Sequence, residues 1–164
     1  MLRKKIILGI DPGYGLTGFG VIEVAGPRMK CLDCGVIKTL AGEEFSQRLK
    51  YLHQDLTKII KKYEPDLVAV EDLFFFKNVK TAMKVSQARG VIILTAVQAG
   101  CRLVEFTPLQ VKQAISGYGR AGKGQTQQMV KVLLGLKQIP RPDDAADALA
   151  VAICAASSMK ILNS

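Results

Sequence analysis

Residues 67–71 read LVAVE, four apolar side chains in succession and then an acid. A strand with one wet face alternates apolar and polar residues. A short unbroken apolar run instead suits a parallel strand covered on both faces. The stretch runs on as DLFFFKN at 72–78, so a carboxylate and three phenylalanines stand where a buried strand should be surfacing. Upstream, residues 43–63 carry Phe45, Leu49, Leu52, Leu56, Ile59, Ile60 and Tyr63 at helical spacing. That helix ends at Glu64-Pro65, because the residue before a proline is driven out of the helical region. Further upstream, KKIILGI (4–10), TGFGVIEVA (17–25) and KCLDCGVIKT (30–39) read as an antiparallel meander whose last two strands join at Gly26-Pro27. Downstream come a long helix over 77–99, a strand at 102–106 (RLVEF) and a helix starting near Pro108. A basic, glycine-rich loop then spans Gly117 to Gly124, followed by helices over about 125–136 and 143–160. The order β-β-β-α-β-α-β-α is α/β. Strand 4–10 and strand 67–71 can lie parallel and adjacent through a right-handed helical crossover.

The bulk numbers agree with one domain spanning 1–164. A chain of 164 residues buries roughly 70% of its unfolded surface on folding. Hydrophobic residues make up 49% and charged residues 23%, which is globular composition. There are 23 basic and 14 acidic residues, a formal net charge of +9, and a compact basic domain attracts polyanions, nucleic acid first among them. No basic amphipathic helix with exposed aromatics points to a membrane surface instead. No apolar stretch reaches the ~18 residues of a spanning helix. The basic N-terminus meets only a short apolar run before Asp11-Pro12, with no cleavage site of small residues, so it reads as the approach to a strand. The four cysteines, Cys31, Cys34, Cys101 and Cys154, complete no zinc pattern. Cys31 and Cys34 are spaced to fall on opposite faces of a strand, and structural thiols in a reducing cytoplasm are expected.

The acids carry the chemistry. Asp11 directly follows the first strand and Glu71 the fourth, so both emerge at the carboxyl edge where open α/β sheets place their sites. Near the end of the chain, Asp144 and Asp147 share one face of a helix start, on a helix otherwise rich in Ala, Val, Ile and Leu. Acids in a first turn ordinarily cap the helix or face its dipole, and Asp143 suits that role. Four carboxylates crowded at one edge repel one another unless a cation neutralises them, and hard oxygen ligands suit Mg²⁺ or Mn²⁺. Two such ions can activate a water and stabilise the leaving oxygen of a phosphodiester. The one histidine, His53, flanks an apolar helical stripe and reads as a boundary residue.

Four blocks, GIDPGYGLTGFGVIE (9–23), VAVEDLFFFKN (68–78), VKQAISGYGRAGKGQ (111–125) and DDAADALAVA (143–152), together resemble the RuvC family of Holliday junction resolvases. They stand in the family's order and span the chain from the first strand to the last helix. The resemblance implies an RNase H-like fold with a mixed five-stranded sheet, three antiparallel strands then two parallel ones, flanked by helices. It implies a metal tetrad of Asp11, Glu71, Asp144 and Asp147 holding Mg²⁺, two ions per site with DNA bound. Some members carry histidine at the third position. Asp143 next to Asp144 leaves that alignment ambiguous, and the DAAD spacing favours Asp144. Phe74 matches the aromatic that probes the junction centre, where base stacking contributes ~1–3 kcal/mol. Phe75 and Phe76 have no such assignment, and one or both suit the core. Lys112 and Lys123 match the family's functional lysines, able to touch a phosphate or stabilise transition-state charge. Gly119, Gly122 and Gly124 would make the Lys123 loop mobile and open to close approach. Arg120, with Lys77, Lys80 and Lys84 in one helical stripe, would touch the DNA backbone, although a merely solvated stripe has the same spacing. The partners so implied are four-way junction DNA, a second copy of the chain and the RuvA–RuvB branch-migration complex.

Three other functions share part of this pattern. An actin-like or sugar-kinase ATPase uses a loop like DPGYGLTGFG but needs two such domains. A related RNase H-like nuclease could act on another structured nucleic acid with the same metals. A non-enzymatic junction-binding module would explain the basic charge but not the acids.

Overall fold

Along β1 (Lys5–Asp11), Leu8 and Ile10 point to one side of the sheet and Ile7, Gly9 and Asp11 to the other, as the two-residue strand repeat requires. Both sides are covered. The structure, a computed structural model, describes residues 3–72, 79–117, 119 and 122–162. Its further elements are β2 (Leu16–Ala25), β3 (Arg28–Lys38), α1 (Phe45–Tyr63), β4 (Leu67–Glu71), α2 (Val79–Gln98), β5 (Arg102–Phe106), α3 (Pro108–Ser116), α4 (Lys123–Leu133) and α5 (Asp143–Leu162). The described residues form a five-stranded sheet in the order β3-β2-β1-β4-β5, with β1–β2 and β2–β3 antiparallel and β1–β4 and β4–β5 parallel. This is the mixed sheet expected from the sequence.

The continuous apolar run of β4 has the reason inferred for it. Val68 and Val70 pack with Leu8 and Ile10 against α1 and α2, while Leu67 and Ala69 pack with Ile7 against α3, α4 and α5. Helix α1 stops at Glu64, which adopts the left-handed conformation (φ 45°, ψ 58°) and bonds back to the Ile60 carbonyl. Helix α3 opens on a capping box in which Thr107 and Gln110 exchange side-chain and backbone bonds, with Pro108 in the first turn. No described helix is long and apolar enough to cross a membrane.

Three local readings are corrected. Helix α4 begins at Lys123 rather than near 125, because Gly122 serves as its extended N-cap. Glycine is an acceptable N-cap, and Gly124 lies in the first turn, where its N–H needs no intrahelical partner. The same helix ends at Leu133 rather than 136. Gly135 turns left-handed (φ 63°) and Leu136 N–H reaches back to the Lys131 carbonyl, a Schellman closure. Cys31 and Cys34 share one face of β3 instead of opposite faces. A bulge sets Val21 opposite Asp33 and Ile22 opposite Cys31, so the extra residue Leu32 shifts the pleat by one. Both thiols then pack toward α5, and burial pushes the Cys31 thiol up to about 12.

Helix α5 lies unusually close to the sheet. A Cβ on Gly9 would stand 2.2 Å from the Ala148 carbonyl oxygen, and one on Gly18 would stand 2.0 Å from that of Asp144. A Cβ on Gly20 would meet the Leu149 side chain at 2.7 Å. The opposing helix face is made of alanines, among them Ala145, Ala148 and Ala152, each fully buried. Small residues on both sides set this separation and bring the first turn of α5 over the end of β1.

A candidate active site at the carboxyl edge of the sheet

Asp11 continues the face of Ile7 and Gly9, and Glu71 continues that of Leu67 and Ala69. Because Ile10 is in parallel register with Val70, the two acids end adjacent strands on the α5 side. Their carboxyls are near enough for each to act on the other's proton affinity. Burial, then the charges of Glu71 and Asp147, hold the Asp11 carboxyl well above the usual carboxylate range. Burial likewise pushes Glu71 up to about 7, partly opposed by the nearby Lys112. Asp147 is also raised, by burial first. Asp144 reaches Asp11 electrostatically from the first turn of α5.

A cleft of about 300 Å³ opens between these acids and the helices, lined by Asp11, Glu71, Asp147, Lys112, Lys123 and Thr126 among others. Lys112 projects from α3 and is exposed. Lys123 is the first residue of α4, with its ammonium 3.3 Å from Asp143 and 3.9 Å from Asp147. A cation at a helix N-terminus opposes the dipole by ~0.3–1 kcal/mol, so its placement is locally unfavourable and is held by the acids of α5. Lys123 itself thus holds a defined helical position, and part of the glycine loop before it lies outside the described residues.

Asp143 and Asp144 part company here. Asp143 is bound by Arg141 at 2.6 Å and by Lys123, which keep its carboxyl below the usual range together with Gln127, the largest influence. Asp144 has no such cation beside it among the described residues and adds its charge to those acting on Asp11.

Among the described residues, no three His, Cys, Asp or Glu side chains converge closely enough to form a ready ligand set. Asp11 and Glu71 are paired with each other, and Asp147 is drawn toward Lys123. The donor chemistry nevertheless fits a divalent cation. All donors are carboxylate oxygens, and the raised proton affinity of Asp11, Glu71 and Asp147 marks a site short of positive charge. A cation there would compete with Lys123 for Asp147.

Of the expected DNA contacts, Lys80 is exposed on the first turn of α2, whereas Lys84 is partly buried and turned onto the Tyr14 hydroxyl at 3.2 Å. Phe74, Phe75, Phe76, Lys77 and Arg120 lie outside the described residues. His53 bonds through Nδ1 to Thr95 Oγ1 at 2.8 Å and ties α1 to α2, a structural role. Sequence reading missed Thr126, which lines the cleft, and Gln127, which acts on Asp143. Both stand at i+3 and i+4 from Lys123, a relation visible only once α4 starts at 123.

Comparison with known proteins then places the fold. The family model for crossover junction endodeoxyribonuclease RuvC matches residues 7–155. The chain belongs to the RuvC family. Its RuvC relative in Halothermothrix orenii, crossover junction endodeoxyribonuclease RuvC, is 54% identical over 156 residues, covering 95% of this chain and 94% of that one. The structure of Thermus thermophilus RuvC superposes with a TM-score of 0.89 at 36% identity, covering 95% of this chain and 96% of that one. Thermus thermophilus RuvC in complex with Holliday junction substrate gives 0.87 at 34%, with the same coverage. The RuvC family fold is the RNase H-like arrangement expected from the sequence.

Proposed function

We propose that the chain is a structure-specific endonuclease that resolves Holliday junctions by paired symmetric nicks during DNA recombination and repair. The observation that carries this is the meeting of Asp11 and Glu71 with Asp147, Lys112 and Lys123 around one cleft, in a chain of the RuvC family. Asp11, Glu71, Asp144 and Asp147 hold Mg²⁺, two ions with DNA bound, and Mn²⁺ substitutes. When bound, the metal supplies charge stabilisation and water activation at the scissile phosphodiester. Lys112 and Lys123 bind phosphate oxygens on either side of the acids and offset the negative charge that builds up during cleavage. Phe74 stacks on a base at the junction centre, and Lys77, Lys80, Lys84 and Arg120 touch the DNA backbone.

The partner copy is supported by α2. Val79, Met83, Leu94 and Val97 are 77%, 62%, 56% and 56% exposed, and with Gly90 they lie along a single helix face. A second copy covers that stripe in a two-fold dimer, which suits a substrate with two-fold symmetry. Action in the cytoplasm, and coupling to the RuvA–RuvB complex, rest on the family resemblance.

The test is a labelled four-way junction beside a matched linear duplex, each with Mg²⁺ and with chelator. Paired symmetric nicks in the junction alone, only with metal, are expected. Equal cutting of the duplex would indicate a less selective nuclease. Binding without cutting under any metal would refute the catalytic reading of the acids.

A pH dependence follows. Metal ligands must be deprotonated, and Glu71 is pushed up to about 7, so cleavage should fall as pH drops below 7. Raising Mg²⁺ should move this acid limb to lower pH, because the cation competes with the proton for the same oxygens. Initial rates across pH 5.5–9 at several Mg²⁺ concentrations check it, and a midpoint indifferent to Mg²⁺ would contradict the assignment.

A further inference from the structure

Across the sheet from the acid cleft, on the α1–α2 side, two cations have no carboxylate partner among the described residues. Arg48 of α1 is only 4% exposed. It donates through Nη2 to the Tyr14 carbonyl at 2.9 Å and through Nε to Thr39 Oγ1 at 3.0 Å. Lys84 of α2 donates to the Tyr14 hydroxyl at 3.2 Å. The Tyr14 and Phe45 rings are stacked, 6.4 Å apart. Arg48 lies 4.9 Å and 5.7 Å from the two ring centres, and Lys84 lies 5.0 Å and 5.5 Å from them.

Neutral oxygens and ring faces offset part of the cost of burying a guanidinium, but they leave both formal charges uncompensated. A clamp for the loop between β1 and β2 needs Arg48, which grips the Tyr14 carbonyl. It does not need a second cation on the Tyr14 hydroxyl.

We propose that Tyr14, Lys84 and Arg48 form a binding site for one backbone phosphate of the DNA strand that crosses the acid edge. This rests on the nuclease reading above and extends it. Tyr14 lies three residues beyond Asp11 and is 41% exposed. Lys112 and Lys123 approach the edge from the α3–α4 side, so a strand passing over the end of β1 meets cations on both sides of the acids. Because the Tyr14 oxygen accepts from Lys84, its own proton is free to be donated to a phosphate oxygen. The remaining N–H groups of Lys84 stand beside it. Lys84 first and Arg48 second hold the Tyr14 phenol below its usual range, which makes it a stronger donor to an anion. Arg48 supplies charge from beneath and keeps the loop in place.

The experiment measures binding of a fluorescent four-way junction across a salt series, in an Asp11→Asn parent that does not cut. Lys84→Gln should flatten the log affinity versus log salt slope by about 0.9, the loss of one phosphate contact. Tyr14→Phe keeps the ring against Phe45 and removes only the hydroxyl. It should weaken binding by about tenfold, the value of one hydrogen bond to a charged group, with the slope little changed. Melting temperatures of both variants are measured alongside. An unchanged slope in Lys84→Gln with unchanged affinity in Tyr14→Phe overturns the site. A lowered melting temperature with no change in binding reduces the cluster to a loop clamp and equally overturns it. A parent that fails to bind the junction at all would bring down the resolvase reading as well, so the two failures are distinguishable.

Discussion

Replacing Asp11 by asparagine should slow junction cleavage on the order of 10³-fold, equivalent to roughly 4 kcal/mol of lost metal-dependent stabilisation. The same change should raise the melting temperature of the chelated protein at pH 8. The two effects share one cause. Asp11 is crowded by Glu71, Asp147 and Asp144 and half-buried at the strand end, so its ionised form is costly without a cation. Asparagine has the same shape, keeps a donor for Glu71 and carries no charge. Linkage fixes the sign of the pH dependence. Asp11 and Glu71 bind protons more tightly in the fold than in the unfolded chain, so the folded state holds more protons between the unfolded carboxylate range and about 7. Stability of the metal-free protein therefore falls as pH rises through that window. The advantage of Asp11→Asn should be several degrees at pH 8, at ~2–4 °C per kcal/mol for a chain of this size, and should shrink toward pH 5. Calorimetry in chelator at both pH values, with junction cleavage and junction binding measured in parallel, checks all of this. Full cleavage by the variant would remove Asp11 from the metal site. A loss of binding equal to the loss of cleavage would make its role recognition rather than catalysis.

Gly18→Ala should have the second largest effect. Its Cβ would lie 2.0 Å from the Asp144 carbonyl oxygen and 2.6 Å from the carbonyl carbon, both backbone atoms that cannot rotate away. The first turn of α5 must move off the sheet, or β2 must bend. Overpacking of this kind costs ~1–3 kcal/mol or somewhat more, so the melting temperature should drop by several degrees. Cleavage should fall further than the loss of folded protein explains, because the displaced turn carries Asp144 and, one turn on, Asp147. Gly42→Ala is the control. Nothing lies within 4 Å of its added methyl group, so both stability and cleavage should stay near those of the parent. If Gly18→Ala folds and cuts normally, the close approach of α5 does not position the acids. Excess Mg²⁺ should recover part of the cleavage, since a weakened site is filled at higher metal concentration.

Much of this was legible in the chain because the deciding signals are local. LVAVE is apolar at every position before its acid since both of its faces are covered, and that alone argued for a parallel central strand. The stripe from Phe45 to Tyr63, the stop at Glu64-Pro65 and the helix start near Pro108 rest on signals within a few residues of each other. The element order then confined Asp11 and Glu71 to one edge, because parallel neighbours end on the same side.

Other features depend on atoms far apart in sequence. No local pattern reveals that Leu32 is bulged, because the bulge exists only in the pairing with β2, and it put Cys31 and Cys34 on one face against expectation. Lys123 looked like a loop residue between glycines. Its ammonium is fixed by Asp143 and Asp147, some twenty residues away, and the helix beginning at Gly122 is what aims it there. Asp143 and Asp144 are neighbours of the same type, and only the approach of Arg141 and Lys123 on one side and Asp11 on the other separates their environments. The sequence by itself determined the element order, the meander of the first three strands and the expectation that Asp11 and Glu71 end neighbouring parallel strands, since periodicity and strand polarity carry these. The family resemblance supplied the full sheet. The tertiary structure alone decided how near α5 comes to the sheet, through Gly9, Gly18 and Gly20 against the alanine face. It thereby decided that the acids crowd, because proton affinity depends on distance and burial, and neither is written in the order of residues.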